Sequence, residues 1–232
     1  MTYKLFWDDA YASKFSARVL DVAENKVILD RTAFNPRGGG LVGDTGLIAG
    51  ARVTDTVKDS DTIHHVIEGP PGLTPGTDVE CSLDWDRRYR IMRMHTAAHA
   101  LSAVFNRETG ALITGNRIEP DESRIDFSIG SMDRDVMTSY VDAVNMEISR
   151  NPAVKTYFLP RDEALKIPAI VKLAGASPPD VDTFRIVEIE GLDTQADGGV
   201  HVRRLGEVGG IVPVRFENKG KSNRRLYFRL NG

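Results

Sequence analysis

The sequence predicts an α+β fold, and three observations predict it. Before Asp84 the chain breaks into short β-rich runs divided by turn residues; from Asp84 the apolar residues switch to a helical repeat; after about residue 182 the strand pattern returns. A length of 232 residues is enough for one large domain or two smaller ones with separate cores.

The first strands are residues 16–21 (SARVLD) and 26–30 (KVILD), with a hairpin-like break at Glu24-Asn25. A glycine-rich stretch follows, FNPRGGG at 34–40 and GDTG at 43–46. Four more short runs are split by GPPG at 69–72 and Pro75-Gly76. Strands at this spacing suit a small barrel or a sandwich. Ile91, Met94, Ala98, Leu101 and Phe105 then recur at helical spacing, so a helix is expected from Asp86 to about Phe105, capped by Asp84 or Asp86. A second helix is expected from about Asp133 to Arg150, with Met137, Val141, Val144 and Ile148 on one face and Asn151-Pro152 as its stop. A shorter helix is expected after Pro160 and a loop at 177–180. Strands are expected at 183–190, 211–217 and 224–230, the last two joined by the turn formers at 218–223.

Hydrophobic residues at 41% and charged residues at 27% are ordinary soluble composition, and no apolar run approaches the roughly 18–20 residues that cross a bilayer. The amino terminus carries two Asp where a signal peptide needs basic residues, so a cytoplasmic protein without a membrane partner is expected. No obligate protein partner is evident. The single Cys81 excludes an internal disulfide, so a metal site has to draw on His, Asp or Glu. The net charge of −3 hides an asymmetry: residues 201–232 carry eight Lys or Arg against two Glu. A basic tail on an acidic body fits a phosphate-contacting surface, and equally a sheet edge guarded by charge.

His95 and His99 are four apart in the first predicted helix, so both imidazoles share a face, at the edge of the apolar stripe. A helix offers two nitrogens to one metal at this spacing, although two half-buried, hydrogen-bonded histidines fit it too. The Glu that an HExxH protease uses as its base is missing. Asp197 and His201, again four apart, flank Gly198-Gly199 in a turn that can fold both side chains inward. The two pairs supply three imidazoles and a carboxylate, a sufficient zinc shell.

The motifs DWDRR (84–88), MHTAAH (94–99) and DGGVHV (197–202) resemble the alanyl-tRNA editing proteins of the AlaX type, and are similar to the editing domain of alanyl-tRNA synthetase. Further matches lie at 34–46, 110–111, 124–127, 190–193 and 217–225, so the resemblance spans nearly the whole chain in order. It implies the medium-length form: a small β-barrel at 1–85 carrying the glycine-rich motif, then at 86–232 an α+β editing domain whose antiparallel sheet packs on helices. It implies zinc, one per chain, on His95, His99 and His201. The family's fourth ligand is a cysteine; Asp197 stands there, and Val200 replaces the usual Thr. In the glycine motif Asn35, Arg37 and Leu41 replace Tyr, Glu and Gln. Asp keeps the unit negative charge of cysteinate but is a harder ligand, so zinc should be held less tightly.

The activity implied is hydrolysis of serine, and of glycine, from mischarged alanine tRNA by metal-activated water, without ATP. Asp197 is the expected labile ligand and proton acceptor, with Thr96 beside it as a second catalytic candidate. Serine differs from alanine by a hydroxyl, so discrimination needs buried polar groups that alanine would leave unpaired. Thr96, Thr114, Asn116 and Gln195 are the candidates, and Gly38, Gly39 and Gly40 are expected to shape the pocket's boundary. Arg87, Arg88 and Arg90, with Lys219, Lys221, Arg224 and Arg225, are the candidate tRNA-backbone contacts. The competing readings are a deacylase for another mischarged tRNA, a noncatalytic tRNA-binding relative with a degenerate site, and a hydrolase of small esters, which the basic tail disfavours.

Overall fold

The computed structural model describes residues 2–130, 133–168, 170–175 and 180–231. Apart from Asp180, the loop expected at 177–180 lies outside the described residues. The chain begins with β1 (Tyr3–Lys4), α1 (Leu5–Asp8), β2 (Lys14–Ala23), β3 (Lys26–Leu29) and β4 (Arg31–Thr32). It continues through β5 (Gly46–Ile48), β6 (Ala51–Asp59), β7 (Thr62–Ile67) and β8 (Asp78–Leu83). The helix α2 (Trp85–Thr109) leads to β9 (Ile113–Arg117), β10 (Ser123–Phe127), α3 (Arg134–Arg150), β11 (Val154–Pro160) and α4 (Arg161–Ala164). Last come β12 (Thr183–Ile189), β13 (Asp193–Ala196), a 3-10 turn at Leu205–Val208, β14 (Ile211–Asn218) and β15 (Arg224–Leu230). The fold is α+β. It divides into two compact units, Met1–Met92 and Arg93–Gly232, with the division inside α2.

In the first unit, alternation of side chains defines the inside. Along β7, Ile63, His65 and Ile67 are buried while Thr62, His64 and Val66 are half-exposed, the period of two of a strand with one dry face. Six strands join antiparallel in the closed barrel order β2-β3-β7-β6-β5-β8 around Val19, Val27, Leu29, Phe34, Ile48, Val53 and Ile67. The start of β5 crosses so close to β8 that a Cβ on Gly46 would lie 2.1 Å from the carbonyl oxygen of Ser82, so only glycine fits there.

Arg88, expected to contact a tRNA backbone, is internal instead: 1% of it is exposed. Its guanidinium pairs with Asp44 of the GDTG motif and donates to the carbonyls of Ala10 and Ala33. A charge this enclosed has to be matched on all its donors, and here its partners are all protein groups. Asp84 likewise pairs with Arg52, at 2.9 and 2.6 Å.

In the second unit, β14-β15-β10-β9 form one antiparallel sheet and β11-β12-β13 another. The helix α3 buries the predicted stripe, Met137, Val141, Val144 and Ile148, and its cap Asp133 accepts from Asp135 N at 2.7 Å. Asn151 ends the helix in the left-handed region, φ 52°. Phe105 of α2 stacks on Phe127 of β10, with centroids 4.3 Å apart, and meets Tyr140 of α3 edge-on, so helices and sheet share one core.

The helix α2 departs from the expected one-sided stripe. From Met94 through Phe105 every residue is buried. Ala97, Ala98, Ala100 and Ala103 are small enough to let neighbours close in on all sides, as in any helix without a polar face. His95 and His99 are therefore enclosed, at 3% and 7% exposure, rather than lying at the edge of a buried face.

Candidate metal centre

One turn of α2 carries His95 and His99; the other half of the site comes from the segment after β13. There Gly199 N donates to Asp197 Oδ1 at 2.6 Å, folding the turn onto its own carboxylate, while Arg185 Nη1 from β12 donates to the carbonyls of Asp197 and Gly199, both at 2.9 Å. The glycine is required by contact. A Cβ at 199 would stand 2.7 Å from His95 Cε1 and 3.1 Å from Asp197 Oδ1.

The turn brings His201 against the helix. The rings of His95 and His201 stack at 4.1 Å between centroids, and His99 stands edge-on to both, at 4.9 and 4.6 Å. In each ring Nε2 is the atom turned to Asp197: 3.6 Å for His95, 3.8 Å for His99 and 3.3 Å for His201. The Nδ1 atoms are turned to framework groups. His95 Nδ1 meets the carbonyl of Val200 at 3.3 Å, His201 Nδ1 meets Thr96 Oγ1 at 3.1 Å, and His99 Nδ1 lies 3.3 Å from Asp193 Oδ2. Donor atoms of His95, His99, Asp197 and His201 all lie within 4.8 Å of one another. Four ligands placed tetrahedrally at zinc's bond lengths are roughly 3.3–3.5 Å apart; the donor set could hold a metal ion, with its widest pairs drawing closer on binding.

Electrostatics act differently on the four groups. Burial pushes the His95 imidazole down to about 4 against the pull of Asp197, and burial with the neighbouring His95 sends His201 well below its usual value. Burial acts on His99 in the same direction, but Asp193 and Asp197 outweigh it and hold that ring at about 9. Burial would raise Asp197; the His95 charge and the hydrogen bonds of His201 and His99 keep it well below the ordinary carboxylate range instead. Its side chain retains 23% exposure, against 9% or less for the three imidazoles, which makes it the cluster's open side.

The other expected residues fall in different places. Thr96 is fully buried, accepts from Val202 N at 3.3 Å and supports the His201 ring. Gln195 is buried with its amide given to Asp193 at 2.7 Å. Both are parts of the framework around the ligands. Thr114 and Asn116 lie on β9 in the four-stranded sheet, where the Thr114 hydroxyl donates to Asn223 at 2.9 Å. Gly38, Gly39 and Gly40 form an exposed turn of the first unit. Arg87 gives Nη1 to the Gly43 carbonyl, and Arg225 holds Asp126 through both nitrogens at 2.6 and 2.8 Å. Arg224 closes its own hairpin on Asn218 and Gly220, and Lys219 pairs with Glu217. Sequence reasoning missed Asp193, Lys172 and Arg185; the alternation of Asp193 and Gln195 just before Asp197 was the available signal for the first.

Fold and site define an α+β protein with three histidines and a carboxylate gathered into one group that could hold a metal ion. Residues 184–227 match the second additional domain of threonyl and alanyl tRNA synthetases, and residues 7–87 match class II (A) tRNA synthetases. The alanyl-tRNA editing protein AlaX-M of Saccharolobus solfataricus is 46% identical over 234 residues, 98% of each chain. That of Methanosarcina mazei is 41% identical over 243 residues, 99% of this chain and 97% of the relative. The alanine–tRNA ligase of Sulfurisphaera tokodaii is 32% identical over 224 residues, 93% of this chain but 25% of the ligase. The chain belongs to the AlaX-M family of alanyl-tRNA editing proteins.

Proposed function

We propose that this chain is a free-standing aminoacyl-tRNA deacylase that hydrolyses serine, and glycine, from mischarged alanine tRNA at a zinc site formed by His95, His99, Asp197 and His201. The observation that carries the reading is the convergence of one nitrogen from each of three imidazoles and one carboxylate oxygen within 4.8 Å, in a chain whose close relatives are named for alanyl-tRNA editing. A bound zinc ion would supply Lewis acidity and positive charge against the oxyanion that develops on the ester carbonyl.

The chain's own residues do the rest. The imidazoles of His95 and His201, turned by Val200 and Thr96, present Nε2 toward Asp197, as that of His99 does. Asp197, kept ionised and partly open to solvent, accepts the proton of the attacking water and gives it to the departing ribose oxygen, which leaves as the free hydroxyl. With Thr96 and Gln195 committed to the framework and Thr114 exposed with its hydroxyl given to Asn223, the half-buried Asn116 is the remaining candidate for reading the serine hydroxyl, and its loss should lower the serine-to-alanine activity ratio. We assign tRNA-backbone contact to Lys219, Lys221 and Arg224 of the β14–β15 hairpin, with Arg87 as a further candidate.

The test combines metal content with substrate choice. Purified protein should hold about one zinc per chain, release serine and glycine from alanine tRNA, spare alanine, and lose activity with chelator and on Asp197→Ala. Protein that carries no metal yet binds the tRNA would establish the noncatalytic alternative.

A further inference from the structure

Behind the ligand cluster lies a buried ion pair that no step above uses. The Asp193 side chain has no exposed surface, and its Oδ1 is paired with the ammonium of Lys172, a residue 8% exposed. Its Oδ2 accepts from Gln195 Nε2 at 2.7 Å and lies 3.3 Å from His99 Nδ1, a buried ring nitrogen with no aligned hydrogen bond among the described residues. The period of two along β13 puts Asp193 and Gln195 on one face. Lys172 is fixed from its own backbone, whose carbonyl accepts from Ile113 N at 2.9 Å.

A buried ion pair seldom stabilises a protein more than apolar residues of the same size, because desolvating two charges offsets their attraction. This pair meets the far nitrogen of a candidate ligand. We propose that Asp193, clamped through both oxygens by Lys172 and Gln195, is a positioning residue that fixes the His99 ring with Nε2 toward the metal site. The proposal rests on the metal-centre reading and adds to it. One restraint would leave a carboxylate free to turn about its bond; restraints on both oxygens set its plane. A carboxylate on the distal nitrogen also fixes the tautomer and makes the ligating nitrogen a stronger donor. His95 and His201 have neutral partners at that position, Val200 O and Thr96 Oγ1, so His99 is the ring with an anionic partner.

The experiment measures zinc affinity by competition with a chromogenic chelator, and the visible spectrum of cobalt-substituted protein, so no step depends on activity. Asp193→Asn and the charge-balanced Asp193→Asn/Lys172→Met are compared with wild type, with folding checked by circular dichroism. Loss of the distal partner should weaken zinc by roughly 10- to 100-fold and shift the cobalt band. Gln195→Leu, which leaves the ion pair intact, should give a smaller loss in the same direction. A folded double variant with wild-type affinity and an unchanged spectrum overturns the proposal. Should neither charge variant fold, unchanged affinity in Gln195→Leu overturns it. His95→Ala separates the two readings. If it loses zinc while the Asp193 variants do not, only the positioning role falls; if wild type binds no tighter than His95→Ala, the metal centre falls and the positioning role with it.

Discussion

A single methyl group at position 199 would meet the His95 ring at 2.7 Å. Gly199→Ala therefore has to displace that ring or the turn, and zinc affinity should fall by roughly 10-fold or more, the scale seen when a ligand's support is disturbed. Chelator competition reads this directly, and an unchanged affinity would count against His95 as a ligand. His65 makes a second prediction. Its Nδ1 donates to the Val27 carbonyl at 3.0 Å, so its Nε2 accepts from the Thr32 hydroxyl at 2.8 Å. Burial holds its pKa at about 4 against the usual 6.5. Below 6.5 the unfolded chain takes up a proton that the folded chain refuses, so this contribution to stability is complete above pH 6.5. It is lost progressively down to about pH 4, a total of roughly 3 kcal/mol. Trp7 and Trp85 both lie in the same unit as His65, so urea unfolding followed by tryptophan fluorescence reports on it. His65→Gln, which does not titrate, should flatten the decline between pH 6.5 and 4.5; an identical decline would contradict this account.

At the scale of elements, the two long helices show different physics. The helix α3 is amphipathic, stands on one apolar stripe and depends on its ends: Asp133 caps the first turn by accepting from Asp135 N. Asp133→Ala should cost about 1 kcal/mol, measured as a lower urea midpoint in far-ultraviolet circular dichroism. No change would mean that packing alone holds that end. Burial on every side replaces the stripe in α2, and that enclosure desolvates His95. The strand β13 does comparable work with polar residues, since its alternation carries Asp193 and Gln195 to one face and leads directly into Asp197.

For the molecule as a whole, charge is divided unevenly: the net of −3 conceals a carboxyl-terminal stretch with eight Lys or Arg against two Glu. Several of these cations are held within the fold, Arg225 by Asp126 and both Arg215 and Arg229 by Glu122. Lys219 pairs with Glu217 and Arg224 closes its own hairpin; these two and Lys221 are the residues proposed above for phosphate contact. Replacing all three by Glu should weaken alanine-tRNA binding and reduce the slope of log affinity against log salt by about two to three units, close to one for each phosphate no longer neutralised. An unaltered slope would move the tRNA surface elsewhere.

The sequence by itself determined the α+β class, the extent of α3 to within a residue, the final hairpin and the four candidate ligands, because each follows from local periodicity, turn chemistry or a four-residue spacing. The strand pattern alone left open whether the residues before Asp84 form a barrel or a sandwich, and the expectation of a barrel came from the family resemblance. The choice depends on pairings such as β2 with β8, whose partners are sixty or more residues apart. The sequence misplaced Arg88, since one arginine among several gives no sign that Asp44, forty-four positions away, receives it. Only the tertiary structure decided that His201 reaches His95 and His99, and that Asp193 and Lys172 stand behind them. Coordination is a matter of ångströms between side chains about a hundred residues apart, and only folding fixes such distances.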